Sequence, residues 1–309
     1  VTSLPVIQRP LDNTALSAYM ACPREYWYSM YLHRRGAGRS PALAYGSLMH
    51  KLLEVYYRTG SPELAEMAGR GWWKEHGVEE EGEYRTLERG VLDFQRYRQK
   101  WGASPTAEFA KTVGFPEEPM VEMSANIQGG GLLHPWAVKI DRIIEVGGLH
   151  YVQDHKTTSR LDKNYFSGFE LSNQMLGYTW AAQQLAPGLR IAGVQINVIH
   201  CIKSGTNFEQ QFVTFTREQI LEWTHNTNAW ITRLAREIEA WEERHSNWLE
   251  HSGDPADYPF PVGHFGDNGC SRKFGLCGYH DLCSKAPSFR YRALQQLPLN
   301  PWNPLEVDE

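Results

Sequence analysis

No stretch of this 309-residue chain approaches the roughly 18 apolar residues that a membrane-spanning helix needs. Its first residues, VTSLPVIQRPLDN, lack the charged-then-apolar layout of a secretory leader. The expectation is a cytoplasmic protein with no membrane partner. Cysteine is scarce, with five residues, so a disulfide framework is excluded as the source of stability in that compartment. Low-complexity blocks and internal repeats are absent. There is no G-x4-G-K-S/T segment, so any nucleotide-driven motor would be a separate protein. Excess positive charge is also missing. The net charge of −5 argues against binding a polyanion over the whole surface, while leaving room for a local basic groove and for bound divalent cations.

The remainder is the composition of a globular protein: 41% hydrophobic and 22% charged residues, enough to bury a sizeable core. Eleven tryptophans serve as core or helix-packing residues, and aromatic faces of this kind also stack on unpaired bases. The segment from about 14 to 33 has apolar residues at helical spacing, with Asn13 or Thr14 as N-cap and a kink or break at Pro23. A second helix spans about 46 to 58 and closes at Gly60, and two more follow. Three β-rich segments separated by GGG and GG turns then read as antiparallel strands, succeeded by a helix, two strands and a long helix. The fold class expected is α/β, a central mixed sheet flanked by helices. Residues 1–110 form a mostly helical N-terminal region, 111–250 the core, and 251–309 a cysteine-rich segment and tail, the three together making one integrated domain.

Two acids interrupt the hairpin. Strand alternation puts Asp154 and Lys156 of QDHKTT on one face and His155 on the other. Taken alone, a carboxylate beside an ammonium is as readily a plain salt bridge. If the strands pair through Gly147-Gly148, however, Asp141 of VKIDRII falls near Asp154. Two carboxylates held together repel unless a cation sits between them, and magnesium or manganese are the oxygen-seeking partners. A lysine there can orient a water or stabilise charge on a phosphoryl oxygen.

Asp141 followed by Asp154-x-Lys156 resembles the PD-(D/E)xK nuclease signature. GSLMH places His50 on an upstream helix, and QMLGY places Gln174 and Tyr178 one turn apart on the next helix. Both are similar to the RecB-like and CRISPR-associated iron–sulfur exonuclease branch. LSAYMACPREYWYSMY, with Ser17 and Cys22, resembles the N-terminal segment of its iron–sulfur members. Cys270, Cys277 and Cys283 follow as C-x6-C-x5-C, a longer first gap than the usual C-x2-C.

The resemblance implies a metal-dependent DNA exonuclease acting on single-stranded ends. His50, Asp141, Asp154 and the His155 carbonyl would hold Mg²⁺ or Mn²⁺, Lys156 would position water, and Gln174 and Tyr178 would support Lys156 or the strand. Cys22, Cys270, Cys277 and Cys283 would ligate a structural [4Fe–4S] cluster, zinc being the alternative. Implied partners are single-stranded DNA or DNA ends and recombination, helicase or CRISPR-adaptation proteins. The alternatives are a subunit working mainly within a complex, or a nuclease on RNA or branched duplex. Glu122 is read as a structural hydrogen-bonding residue ahead of a catalytic one. Arg34, Arg35 and Arg39 are read as a solvated loop, Cys201 as a buried small hydrophobe, and His264, His280 and Asp281 as loop residues.

Overall fold

Short polar side chains start the N-terminal helices. Asp12 accepts the Ala15 amide at 2.7 Å and opens α1, Asn13–Ala21. Cys22 is then extended, and Pro23 begins α2, Pro23–Tyr26, so the chain breaks where the proline removes an amide donor. A π-helical turn over Trp27–Tyr31 follows. Ser40 caps α3, Pro41–Thr59, which starts five residues before the expected position because the Ser40-Pro41 pair is itself the start signal. Ser61 caps α4, Pro62–His76, and Thr86 caps α5, Leu87–Trp101. The computed structural model describes residues 7, 10–35, 40–77, 84–264, 269–272, 275–301, 303 and 305.

The strands β1 (Lys111–Thr112), β2 (Val121–Ile127), β3 (Trp136–Val146) and β4 (Leu149–Thr158) precede α6, Asn173–Leu185. After α6 come β5 (Ile191–Ile202), β6 (Gly205–Thr214) and the long α7, Arg217–His251. A short ribbon of β7 (Ser271–Arg272) and β8 (Gly275–Leu276) leads to α8 (His280–Cys283) and α9 (Pro287–Gln296). Six strands form one mixed sheet in the order β1-β3-β4-β5-β6, with β2 also on β3. β3 and β4 are antiparallel, β4 and β5 parallel, β5 and β6 antiparallel. The parallel pair follows from the α6 crossover, which a parallel connection requires. The expected class, a mixed sheet flanked by helices, is the one observed.

The chain forms two compact units, 38–125 with 138–223, and 1–37 with 126–137 and 224–309. In the first unit α3 is the central helix. Leu48, Met49, Leu52, Leu53, Tyr56 and Tyr57 are buried with Trp72, Trp73, Phe94 and the sheet residues Ile199, Cys201 and Phe208. In the second, Leu11 bridges to Trp136, and aromatic residues of α7 meet those of the first helices, as Trp27 and Trp241 do at 5.4 Å.

Register in the sheet is fixed by a two-residue turn. Gly147 and Gly148 have φ of 58° and 78°, the left-handed pair of a tight hairpin, so Val146 lies opposite Leu149 and Arg142 opposite Gln153. At Gly193 the close partner is backbone: an added Cβ would lie 2.1 Å from the Val213 carbonyl oxygen, at a φ of 156°. Gly193→Ala is therefore expected to lower unfolding free energy by about 1–3 kcal/mol, measured by urea denaturation. An unchanged midpoint would show that β6 yields without strain.

Candidate active site

The β3–β4 ladder ends at Arg142↔Gln153, whereas β4 stays paired with β5 as far as Thr158↔His200. Beyond Arg142↔Gln153 strands β3 and β4 part, and the polar residues expected to carry chemistry gather there. The His155 amide, without a β3 carbonyl, donates to Asp141 Oδ2 at 2.8 Å. The imidazole of His50, from α3, enters the gap. Its Nε2 is 3.0 Å from the His155 carbonyl oxygen, and its Nδ1 lies 3.4 Å from Asp141 Oδ2 and 3.9 Å from Glu122 Oε1. Glu122 reaches this position from β2 with a φ of +48°, rare for a residue with a side chain. Its other oxygen is 3.0 Å from Lys139 Nζ.

A second group adjoins the first. Lys156 Nζ donates to Asp154 and, at 3.1 Å, to Gln174 Oε1, and Gln174 Nε2 donates to Tyr178 Oη at 3.0 Å. Strand alternation turns Lys156 toward α6 and the His155 ring toward α3. There the ring stacks on Tyr57 at 6.1 Å and accepts from Asn197 at Nδ1. Behind it the buried Arg142 donates to Thr112, Gln153 and the Ala110 carbonyl, with its guanidinium 3.5 Å above the Tyr57 ring.

Charge is layered. The acids Glu122, Asp141 and Asp154 have side chains 5%, 9% and 3% exposed, and the bases His50, Lys139 and Lys156 are 35%, 34% and 26% exposed. Burial works against the His50 imidazolium, yet Asp141 and Glu122 outweigh it and hold its pKa well above the ordinary histidine value. Burial alone would raise Asp141, but His50 and the His155 amide hold that carboxyl below the usual range. Asp154 moves the other way, because burial and the Asp141 charge exceed the pull of Lys156. Burial lowers His155 to about 3, so its ring is neutral. Burial, with the charge of Asp154 added, pushes Tyr178 well up, and the phenol keeps its proton.

His50, Glu122 and Asp141 bring three ligand atoms within 4.8 Å of one another, the one such set among the described residues. One imidazole nitrogen and two carboxylate oxygens suit manganese or magnesium. The His155 carbonyl, expected as a ligand, is engaged by His50 Nε2, an arrangement that fixes the ring and aims Nδ1 at the acids. Asp154 lies outside the trio, tied to Lys156.

A sequence model of the PD-(D/E)XK nuclease superfamily matches residues 13–284. The chain belongs to that superfamily. A solved protein from Eubacterium rectale, described as a candidate exonuclease, is similar at 13% identity and a TM-score of 0.46 over 74% of this chain and 80% of its own. Among curated proteins none matches. Members of the superfamily are hydrolases that act on nucleic acids with divalent metals.

Cys22, Cys270, Cys277 and Cys283 lie in the second unit of the nuclease. Cys22 is buried, while Cys270, Cys277 and Cys283 are partly exposed. The His264 amide approaches Cys22 Sγ at 3.4 Å, and the same residue's carbonyl is 3.5 Å from Cys270 Sγ. The Cys277 amide donates to the Cys270 carbonyl at 2.8 Å, and the Arg24 and Tyr28 side chains reach the Cys283 sulfur. Arg34 and Arg35 donate to backbone carbonyls, Arg34 to Leu297, distant in sequence, and Arg35 to Ser29 nearby. Arg39 lies outside the described residues. His280 stands 3.4 Å from Asp281.

Glu122, read from the sequence as a structural hydrogen-bonding residue, is brought beside His50 and Asp141. Its one signal was an acid in the strand before Asp141, and nothing in MVEMS announces a left-handed backbone. A divalent ion needs a neutral His50, so binding should release about one proton and tighten as pH rises, levelling off once pH passes the raised His50 pKa. Titration calorimetry with Mn²⁺ in two buffers of different protonation enthalpy measures this. Glu122→Gln should weaken binding by about tenfold or more. Affinity independent of both pH and Glu122 would remove the trio as the ion site.

Proposed function

We propose that this nuclease is a metal-dependent deoxyribonuclease that acts as an exonuclease on single-stranded ends, of the RecB-like iron–sulfur kind. The observation that carries the reading is the meeting, at the parting of β3 and β4, of the His50–Glu122–Asp141 trio with the Asp154–Lys156–Gln174–Tyr178 chain. When bound, Mg²⁺ or Mn²⁺ would neutralise phosphate charge and lower the pKa of water. Asp141, Glu122 and His50 Nδ1 would hold the ion, and Asp154 is read as a further ligand from β4. The His155 carbonyl orients His50 through Nε2, so the imidazole presents a lone pair on the side of the acids. Lys156 keeps its ammonium between Asp154 and Gln174, where it can donate to an attacking water or to a phosphoryl oxygen. Gln174 holds that amine in place, and the Tyr178 phenol holds Gln174. An imidazole is softer than a carboxylate, so manganese is expected to support the faster reaction.

The four thiols Cys22, Cys270, Cys277 and Cys283 are read as ligands of a structural [4Fe–4S] cluster that fastens the start of the chain to its C-terminal segment. What supports this is the approach of Cys22 and Cys270 to His264 and the backbone bond of Cys277 to Cys270. Among the described residues no three thiols lie within 4.8 Å of one another.

Cleavage of labelled single-stranded, duplex and flapped DNA and of RNA, with Mg²⁺ and with Mn²⁺, tests the function. Single-stranded DNA should be shortened from an end, and Asp154→Ala should reduce the rate by about 10³-fold or more without changing the circular dichroism. Cleavage of RNA alone, or undiminished cleavage by Asp154→Ala, would contradict the assignment. Anaerobically purified protein should be brown and absorb visible light. A colourless preparation with stoichiometric zinc would replace the cluster.

A further inference from the structure

Between β4 and α6 the chain crosses the rim of the site, and this stretch carries aromatic side chains. Tyr165 packs edge-on against Phe166 at 5.5 Å and 88°, and against Phe169 at 5.4 Å and 67°. All three rings are partly exposed, and the last two stand on a single turn of 3-10 helix, Phe166–Phe169. Leu171 follows with 84% of its surface exposed, three residues before Gln174. The cluster adjoins the reacting groups: the Tyr165 phenol bonds to Thr158, the last residue of β4, and lies within the field of Asp154.

Charge in this stretch cancels, since Arg160 and Lys163 are matched by Asp162 and Glu170. It is therefore poorly suited to clamping phosphates. What it offers is ring faces and an apolar edge beside a site built for a phosphodiester. Aromatic faces stack on unpaired bases of any identity, whereas paired bases already stack on their neighbours. The occupant that matches is a nucleobase one step from the scissile phosphate.

The geometry points to a base-stacking platform formed by Phe166, Phe169 and Leu171, which receives the unpaired base next to the cleaved bond and selects single-stranded or frayed ends over closed duplex. This inference rests on the nuclease reading of the neighbouring carboxylates and lysine. The rings act on specificity and binding, and Asp154 and Lys156 on the reaction.

The test uses the full chain with Phe169→Ala and Leu171→Ala, singly and together, and Phe169→Tyr as the variant that keeps a ring. On an Asp154→Asn background, single-stranded DNA with 2-aminopurine beside its end should lose fluorescence on binding, and the double variant should abolish that quenching. In active protein the double variant should raise KM for single-stranded DNA by about fivefold or more, leave kcat nearly unchanged and shrink the preference over blunt duplex. Phe169→Tyr should restore all three. Leu171→Ala, at an exposed position, keeps the test open if Phe169→Ala does not fold. Folded variants with parental KM, preference and quenching would overturn the platform alone. Wild-type protein that binds no single-stranded DNA would overturn the functional reading and the platform with it.

Discussion

Three carboxylates buried within reach of one another need compensating positive charge, and the rest of the site follows from how the molecule supplies it. Glu122, Asp141 and Asp154 are nearly inaccessible, and each is answered by one base about a quarter to a third exposed: Lys139, His50 and Lys156. Without such partners, desolvation would drive the acids to take up protons. With His50 beside it Asp141 is held ionised, whereas for Asp154 burial and the Asp141 charge exceed the pull of Lys156. His50 is the replaceable member of the set, because an imidazole can give up its proton at Nδ1 and still keep its Nε2 contact to the His155 carbonyl.

Scaffold and site meet at α3. The face of this helix that buries Leu48, Met49, Leu52 and Leu53 against α4 and α5 fixes where His50 can point, and Tyr57, two turns on, touches both His155 and Arg142. The buried Arg142–Thr112–Gln153 bonds hold β3 and β4 together immediately before they part. A tight hairpin at one end, a polar clasp in the middle and a wedge of imidazole at the other make the parting a fixed feature. The clasp costs desolvation, and burial lowers the Arg142 pKa, so the cation is retained through its bonds to neutral acceptors and the Tyr57 ring.

Much of this was legible in the sequence. Gly147-Gly148 dictates the hairpin register, and that register brings the neighbourhood of Asp141 to that of Asp154. Pro23 marks a helix break, and the α6 segment between two β-rich stretches implies the parallel pair. What escaped depended on backbone conformation or tertiary approach. The early start of α3 lay in the Ser40-Pro41 pair, a cap signal outranked by the apolar pattern further on. The reach of Glu122 into the trio depends on a positive φ that no residue type advertises. The engagement of the His155 carbonyl by His50 arises only when a helix distant in sequence packs on the sheet. The short β7–β8 ribbon has too few residues for alternation to show.

We propose that His50, Glu122 and Asp141 at the β3–β4 parting hold one shared divalent ion. Crystals grown with Mn²⁺ and measured at the manganese absorption edge test it most directly. An anomalous peak is expected within coordination distance of His50 Nδ1 and of the Asp141 and Glu122 carboxylates, with Lys139 drawn off Glu122. A peak elsewhere, or none while His50 and Lys139 remain paired to their acids, would contradict it.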